Sequence, residues 1–416
     1  MRRMICVLVV MSCLSLVVAP AIADDFILGI FGNANMDDTI NEDDIEYVEG
    51  IIEGTNEETE LADANYDGKI DEEDIAQIEL IIGGEEKELT LLQYIGYPGD
   101  ITEVPITIPM PVESIVAIGG AYGPKILCAF GEQDRIVGVL ETAKKQGELK
   151  TFLEDKNTVG KSTFSADIEM IVEQNPDIVL GYSYRYFPEY EDPLEASGIP
   201  FVQMDFHEPE KYSREIGNLG WILCDQERAE ELINFEDQKL DLIKTRINDL
   251  EPEKKTRVYY EWYGDYQVVG PGNSNHNSIV MGGGANIFED AVAEYPDVES
   301  ETIIERDPQV IIKCSYRTDL FGYDVTDAAP LEEMKDELMG RPGWDLIDAV
   351  ENGRVYLIST YTHSTHPSVY YSYIAKYLHP ELFEDIYPET VHAEWFQNFL
   401  GIDYQGIYAY PSPVKS

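Results

Sequence analysis

Apolar residues recur along this chain in two different rhythms. Near the start, Ile45, Val48, Ile51 and Ile52, and then Ile75, Ile78, Ile81 and Ile82, fall at three- and four-residue intervals, which places each set on one face of a helix. From Val112 onward the rhythm changes to short apolar runs: "SIVAIGG", "RIVGVL", "PDIVLGY" and "IPFVQMD", then "RVYYEWYG", "PQVIIKCSY" and "RVYLIST". Such runs, separated by amphipathic stretches, predict parallel strands alternating with helices. Between the two sets lies a helical region over 207–255, with Ile222, Leu232, Ile233, Leu240, Ile243 and Ile247 as its apolar stripe. The predicted fold class is therefore α/β. Two Rossmann-like lobes, 112–206 and 256–416, are joined by one long stiff helix and face each other across a cleft with limited hinge motion. A small all-α unit over 24–88 precedes them, and 89–111 reads as a linker.

The first 23 residues stand outside this pattern. Arg2 and Arg3, the apolar run Ile5–Val18 and the small residues Ala21–Ala23 predict an export signal cleaved after Ala23. No Cys directly follows the apolar run, so a lipid-anchored start is not expected. The remaining 390 or so residues are too many for a single core.

Composition narrows the partners. A net charge of −51 argues against nucleic acid, whose phosphates such a chain repels, and reads chiefly as a solvated acidic surface. Beyond the signal, Cys128, Cys224 and Cys314 are far apart among apolar residues and form no zinc pattern. They are expected to be buried free thiols.

The helical repeats carry candidate chemistry. "DANYDGKIDEED", Asp63 to Asp74, reads as a calcium loop, and "NANMDDTINEDD", Asn33 to Asp44, repeats it upstream. Such loops place side-chain oxygens at their first, third, fifth and twelfth positions, a backbone carbonyl at the seventh and a tight turn at the sixth. The second copy supplies Asp63, Asn65, Asp67 and Asp74, with Lys69 at the carbonyl position and Gly68 at the turn. In the first copy these are Asn33, Asn35, Asp37, Asp44 and Thr39. Asn33 carries no charge and Asp38 replaces the glycine, so the second site is expected to bind calcium more tightly. The duplicated loop, with Asp at its twelfth position and a helix after each copy, resembles the type I dockerin module. That resemblance covers residues 29–84 and implies a cohesin-like surface partner. The charged pairs Glu42–Asp43 and Glu72–Glu73 differ from the small hydroxyl or apolar pairs such partners meet.

The body resembles a second family. "ESIVAIGGAYGPKILCAFGEQDRIVGV", "DIEMIVEQNPDIVLG", "EDPLEASGIPFVQMD", "MGGGANIFED" and "GRPGWDLIDAVENGRVYLI" follow in the order seen in class III periplasmic binding proteins. These are the substrate-binding proteins of ABC importers for iron-siderophores, haem and cobalamin. The resemblance spans roughly Glu113 to Pro380. It implies capture of a ligand between two lobes and delivery to a membrane permease driven by its ATPase. An iron chelate leads; cobalamin or haem is the alternative. A dockerin-anchored surface protein without a transport role is the rival reading.

Ligands of open parallel sheets sit beyond the carboxyl ends of the strands, which selects a set of residues without appeal to family. Tyr122 follows the first strand; Tyr182, Tyr184, Arg185 and Tyr186 follow "DIVLG". Trp262, Tyr263 and Tyr266, then Tyr316 and Arg317, occupy the matching ends in the second lobe. The pairing of "YSYRY" with "CSYRT" predicts a partly flat, anionic or carbonyl-rich ligand gripped by tyrosines and arginines from both sides. Tyr361, His363 and His366 in "STYTHSTHPS" add two histidines that could ligate iron. No GxSxG, HExxH or GxxxxGK pattern occurs, so an enzyme is not expected.

Overall fold

The computed structural model describes residues 26–96 and 100–413; the expected signal and its cleavage point lie outside them. Helices α1 (Glu42–Glu53) and α2 (Glu72–Gly83) each follow one of the tandem loops. Both start on the same reciprocal cap. Asn41 Oδ1 accepts from Asp43 N at 2.7 Å while Asp44 Oδ2 accepts from Asn41 N at 2.8 Å, and Asp71 and Asp74 repeat the arrangement. Satisfying the first free amides in this way explains why both repeats form helices.

The stretch expected as a linker is instead a hairpin. Strand β1 (Glu88–Ile95) pairs antiparallel with β2 (Thr102–Pro109). Val104, Ile106 and Ile108 alternate with more exposed neighbours in β2, a half-buried period that specifies a strand. β1 is buried from Leu89 to Ile95 because it is wedged between two partners. Leu92 N donates to Gly29 O at 2.7 Å on the module side, and Gln203 N donates to Gln93 Oε1 at 2.6 Å on the lobe side. One hydrophobic core accordingly runs from Leu28, Ile30 and Ile78 through Leu89 and Leu91 to Ile115, Ile216 and Leu219. The tandem-loop module is built into the body.

The first lobe comprises β3 (Ile115–Ala117), α3 (Tyr122–Phe130), β4 (Ile136–Val139), β5 (Asn157–Thr158), β6 (Ile178–Gly181) and β7 (Phe201–Gln203). Its sheet order is β5-β4-β3-β6-β7, parallel throughout. The connection that follows departs from expectation. It is two helices, α4 (Pro209–Leu223) and α5 (Gln226–Ile247), broken at Cys224. Cys224 adopts φ +58°, and Asp225 Oδ1 caps α5 by accepting from Arg228 N at 3.1 Å. A Cβ on Gly220 would lie 2.6 Å from the Ala229 methyl, so close packing of the two helices accounts for the glycine and the break. Cys224 is exposed here, whereas Cys128 and Cys314 are buried thiols.

The second lobe holds β8 (Thr256–Glu261), α6 (Ser274–Met281), β9 (Gly284–Asn286), β10 (Val310–Ser315), β11 (Val355–Ser359), α7 (Pro367–Leu378), α8 (Pro388–Trp395) and β12 (Ala409–Tyr410). Its sheet runs β12-β11-β10-β8-β9, with only β12 antiparallel. The predicted pair of α/β lobes is therefore present. The boundary at 256 is less clean than expected. Trp395, Phe396, Phe399, Leu400 and Tyr408 return to the core of the first lobe, because this run is too apolar to be left in water. Among the described residues no helix is long and apolar enough to cross a membrane.

Candidate functional site

The carboxyl ends of both sheets line one cavity of about 190 Å³ between the lobes. On the first lobe, Tyr122 opens α3, Tyr182 and Tyr184 follow β6, and His207 follows β7. Tyr122 packs edge-on against Tyr182 at 5.1 Å between ring centroids and lies 5.3 Å from the His207 ring. Gly120 makes this possible: its φ is +63°, and a Cβ there would lie 2.8 Å from the Tyr182 hydroxyl. On the second lobe, Trp262 stacks on Tyr263 at 4.1 Å, with Tyr295 at 5.3 Å. Asn275 Oδ1 accepts from the hydroxyls of Tyr260 and Tyr370, both at 3.0 Å.

Two histidines meet across the cavity. His207 comes from the first lobe and His363, on the turn after β11, from the second; their ring centroids are 5.0 Å apart. His363 Nε2 is buried and has no hydrogen-bond partner. Burial, reinforced by the charge that His207 can carry, pushes the His363 pKa down to about 3, so its ring is neutral. Burial also disfavours charge on His207, but Glu208, whose Oε1 lies 3.4 Å from His207 Nε2, outweighs it and holds that pKa above its ordinary value.

Of the residues proposed from sequence, Tyr122, Tyr182, Tyr184, Trp262, Tyr263 and His363 line this cavity. The Tyr–Arg pairing does not. Arg185 turns outward to Glu189 Oε1 at 2.6 Å and covers the Phe187 ring at 4.0 Å. Arg317 is clasped by Asp319 at 3.1 and 2.6 Å. With 80 acidic residues against 29 basic ones, each of these two exposed arginines finds a carboxylate within four residues. Tyr186 is exposed, and Tyr316 lies with Arg317 in an adjoining cavity of about 530 Å³ that shares Tyr263, against which Tyr316 packs at 4.5 Å. Tyr266, at φ +60°, packs against Trp344 beneath Arg341. Tyr361 turns to Gln146. His366 is fully buried, its Nδ1 3.0 Å from Thr362 O and its ring against Trp395; burial drives its pKa well down. It is a core residue.

The sequence reading passed over His207, Ser274, Asn275, Tyr295, Thr360 and Tyr370, which also line the cavity. His207 was within reach, since the rule that selects strand ends applies equally to "FVQMDFH" after β7. Tyr370 and Asn275 sit within helices, where no local signal separates a cavity wall from ordinary packing.

The sequence profile of the periplasmic binding protein family matches residues 115–362, more than half of the chain. The chain belongs to the periplasmic binding protein family. Binding proteins of this family deliver solutes to ABC permeases, and this one shares their two-lobed fold. The structure is similar to that of the TroA-like periplasmic binding protein FepB from Veillonella parvula, with a TM-score of 0.64 and 23% identity over 73% of this chain and 96% of that one. A vitamin B12-binding protein of Vibrio parahaemolyticus is 24% identical over 206 residues, 48% of this chain and 70% of its own length. The molybdate-binding protein MolA of Haemophilus influenzae is 23% identical over 304 residues, 65% of this chain and 81% of that protein. The molybdate-bound structure of MolA superposes with a TM-score of 0.59 at 20% identity, covering 73% of this binding protein and 97% of MolA.

Proposed function

We propose that this protein is the receptor of an ABC importer for a compact iron chelate of the siderophore type, held in the aromatic cavity. The observation that carries this reading is the pair His207 and His363, one from each lobe, with His363 Nε2 buried and unpartnered. A metal whose chelator leaves positions open accepts imidazole nitrogens, while the surrounding tyrosine and tryptophan rings cover the chelator's apolar faces. Among the described residues around this cavity no three His, Cys, Asp or Glu side chains converge as a metal site, so the metal brings further donors with it. A cavity of about 190 Å³ lies below the range typical of drug-sized ligands, roughly 300–1,000 Å³, which favours a compact chelate over haem or a corrinoid. No Lys or Arg stands among its described lining residues, which weighs against an oxyanion held by charge. The test uses the mature chain with ferric nitrilotriacetate, which leaves positions open on iron, and ferrioxamine, which fills them. Binding of the first, with a shifted visible absorption band, is expected; equal binding of both would overturn the reading.

Because Arg185 and Arg317 are engaged outside this cavity, replacing both with Ala is expected to change that affinity less than about threefold. A loss of tenfold or more in the same titration would return them to the site.

The basic-apolar-small leader and the periplasmic relatives support export, with a mature chain beginning at Asp24. The tandem loops are proposed to hold calcium. In the second loop Asp63 accepts from Asp67 N at 3.0 Å and Gly68 N at 2.8 Å, a cradle lined with oxygen. In the first, Asn35 Nδ2 donates to Asp37 Oδ2 at 2.7 Å, and Asn33 Nδ2 is committed to Leu28 O and Asp37 O. Amide hydrogens there already occupy acceptors that a cation needs. Burial, with a smaller contribution from neighbouring carboxylates, raises the Asp44 pKa to about 6 and moves Asp74 in the same direction. Calorimetry is expected to show calcium binding more tightly to the second loop, lost on Asp67→Ala; equal affinities would refute the ranking. A cohesin-like partner remains part of this proposal.

A further inference from the structure

We propose that hairpin β1–β2, backed by the tandem-loop module, is a positioning element of the ligand cavity, acting through Gln93 and the main chain of residues 94–96. This rests on the cavity being the ligand site.

The first link is a two-step relay. Gln93 is buried, and its Oε1 accepts from Gln203 N at 2.6 Å. Gln203 ends β7, and its Nε2 donates to Tyr182 O at 2.7 Å and to Arg185 O at 2.9 Å. These carbonyls bracket the turn that carries Tyr182 and Tyr184 into the cavity. A hairpin side chain therefore holds the strand end that holds the tyrosine turn.

The second link runs through Lys211. Its buried Nζ lies 3.5 Å from Tyr94 O and 3.3 Å from Gly96 O on the hairpin. The same ammonium donates to Ser183 Oγ at 2.9 Å and Asp205 Oδ2 at 2.8 Å. Asp205 Oδ1 accepts from Ser183 N at 2.8 Å, and Asp205 stands two residues before His207. Gly96 N closes the circuit on Ser183 O at 2.7 Å. Gly96 sits at φ +120°, and a Cβ there would collide with Asp100 O, so this approach of backbone to backbone requires glycine.

A two-stranded ribbon is marginal by itself, and the module supplies its backing. Phe31 N donates to Thr90 O at 2.9 Å, Gly29 N to Asn218 Oδ1 at 3.0 Å, and Arg214 Nε to Ile27 O at 3.0 Å. The Arg214 guanidinium lies 4.3 Å over the Tyr94 ring. The module, the hairpin and the first-lobe wall of the cavity thus form one hydrogen-bonded unit, and Gln93 is a positioning residue for Tyr182.

The test uses the full mature chain and ferric nitrilotriacetate. Gln93→Leu is expected to weaken binding about tenfold and to shift the visible band of the bound complex. Gln93→Glu, which keeps the acceptor, restores both; Glu88→Gln, at the exposed start of β1, changes neither. Amide hydrogen exchange of the ligand-free chain gives a readout independent of the probe: Gln93→Leu accelerates exchange over residues 182–186. A Gln93→Leu variant with a lowered Tm but unaltered affinity, band and local exchange overturns the proposal. Failure of the parent chain to bind the complex refutes the proposed ligand class, and the exchange experiment still decides the positioning role.

Discussion

Replacing His207 or His363 with Ala is expected to weaken capture of the proposed open ferric complex by about a hundredfold, and replacing both to abolish it. The size of the effect follows from the geometry: each ring is the contribution of one lobe, and the rings stand 5.0 Å apart. If each imidazole ligates the proposed metal, its loss is expected at or beyond the upper end of the roughly 10–100-fold typical of losing a residue that only supports a ligand. The two histidines respond differently to pH. His363, held neutral down to about pH 3 by burial, keeps its lone pair available throughout the working range. His207 is held above its ordinary pKa by Glu208 against the cost of burial, so a proton is expected to compete there with the proposed metal. Affinity for the proposed complex is therefore expected to rise with pH as His207 deprotonates, and Glu208→Gln to move that rise to lower pH. A titration series by tryptophan fluorescence, with Trp262 in the wall of the cavity, measures both effects; pH-independent binding would remove His207 from the ligand set.

Glu236 carries the second large expectation. It is fully buried on α5, and its Oε2 accepts from Ser368 N at 2.7 Å where α7 begins. Burial, only partly offset by the bonds from Ser368, raises its pKa to about 8. The folded chain thus holds a proton that the unfolded chain releases above its ordinary value of 4.5. Stability from this group is fully present below pH 4.5 and is lost as pH climbs through 8, by about 1.4 kcal/mol per pH unit between those limits. Glu236→Gln keeps the acceptor for Ser368 and carries no charge, so it becomes progressively more stable than the parent, by a few kcal/mol at pH 9. His363, His366 and His392 act in the opposite sense. Burial lowers their folded pKa values, so their contribution is fully present above about 6.5 and is lost progressively as pH falls from there toward the lowered folded values. Urea unfolding of parent and variant at pH 5, 7 and 9 isolates Glu236, since the histidines are common to both. Parallel curves would mean that Glu236 is ionised in the fold.

Periodicity along the chain was sufficient for the two helices after the tandem loops and for strands β3, β4, β6, β7, β8, β10 and β11 in their order, but the short edge strands β5, β9 and β12 carry no such run. The former follow from near-neighbour spacing, because a helix or a buried strand carries its repeat within a dozen residues. The strand-end rule likewise located Tyr122, Tyr182, Tyr184, Trp262, Tyr263 and His363. It missed where side chains turn. Arg185 and Arg317 sit at the proper strand ends, yet Glu189 and Asp319 capture them first, and that choice depends on rotamers and local charge. His366 resembles His363 in sequence but faces Trp395 and His392 instead of the cavity. The linker became a hairpin because β1 is covered by the module and the first lobe, neither of which is visible within residues 88–95. The meeting of His207 with His363 joins residues 156 positions apart in the sequence. Short-range pattern specifies elements; which of their side chains share a cavity is decided only when the lobes pack, since burial and partner choice are properties of the whole fold.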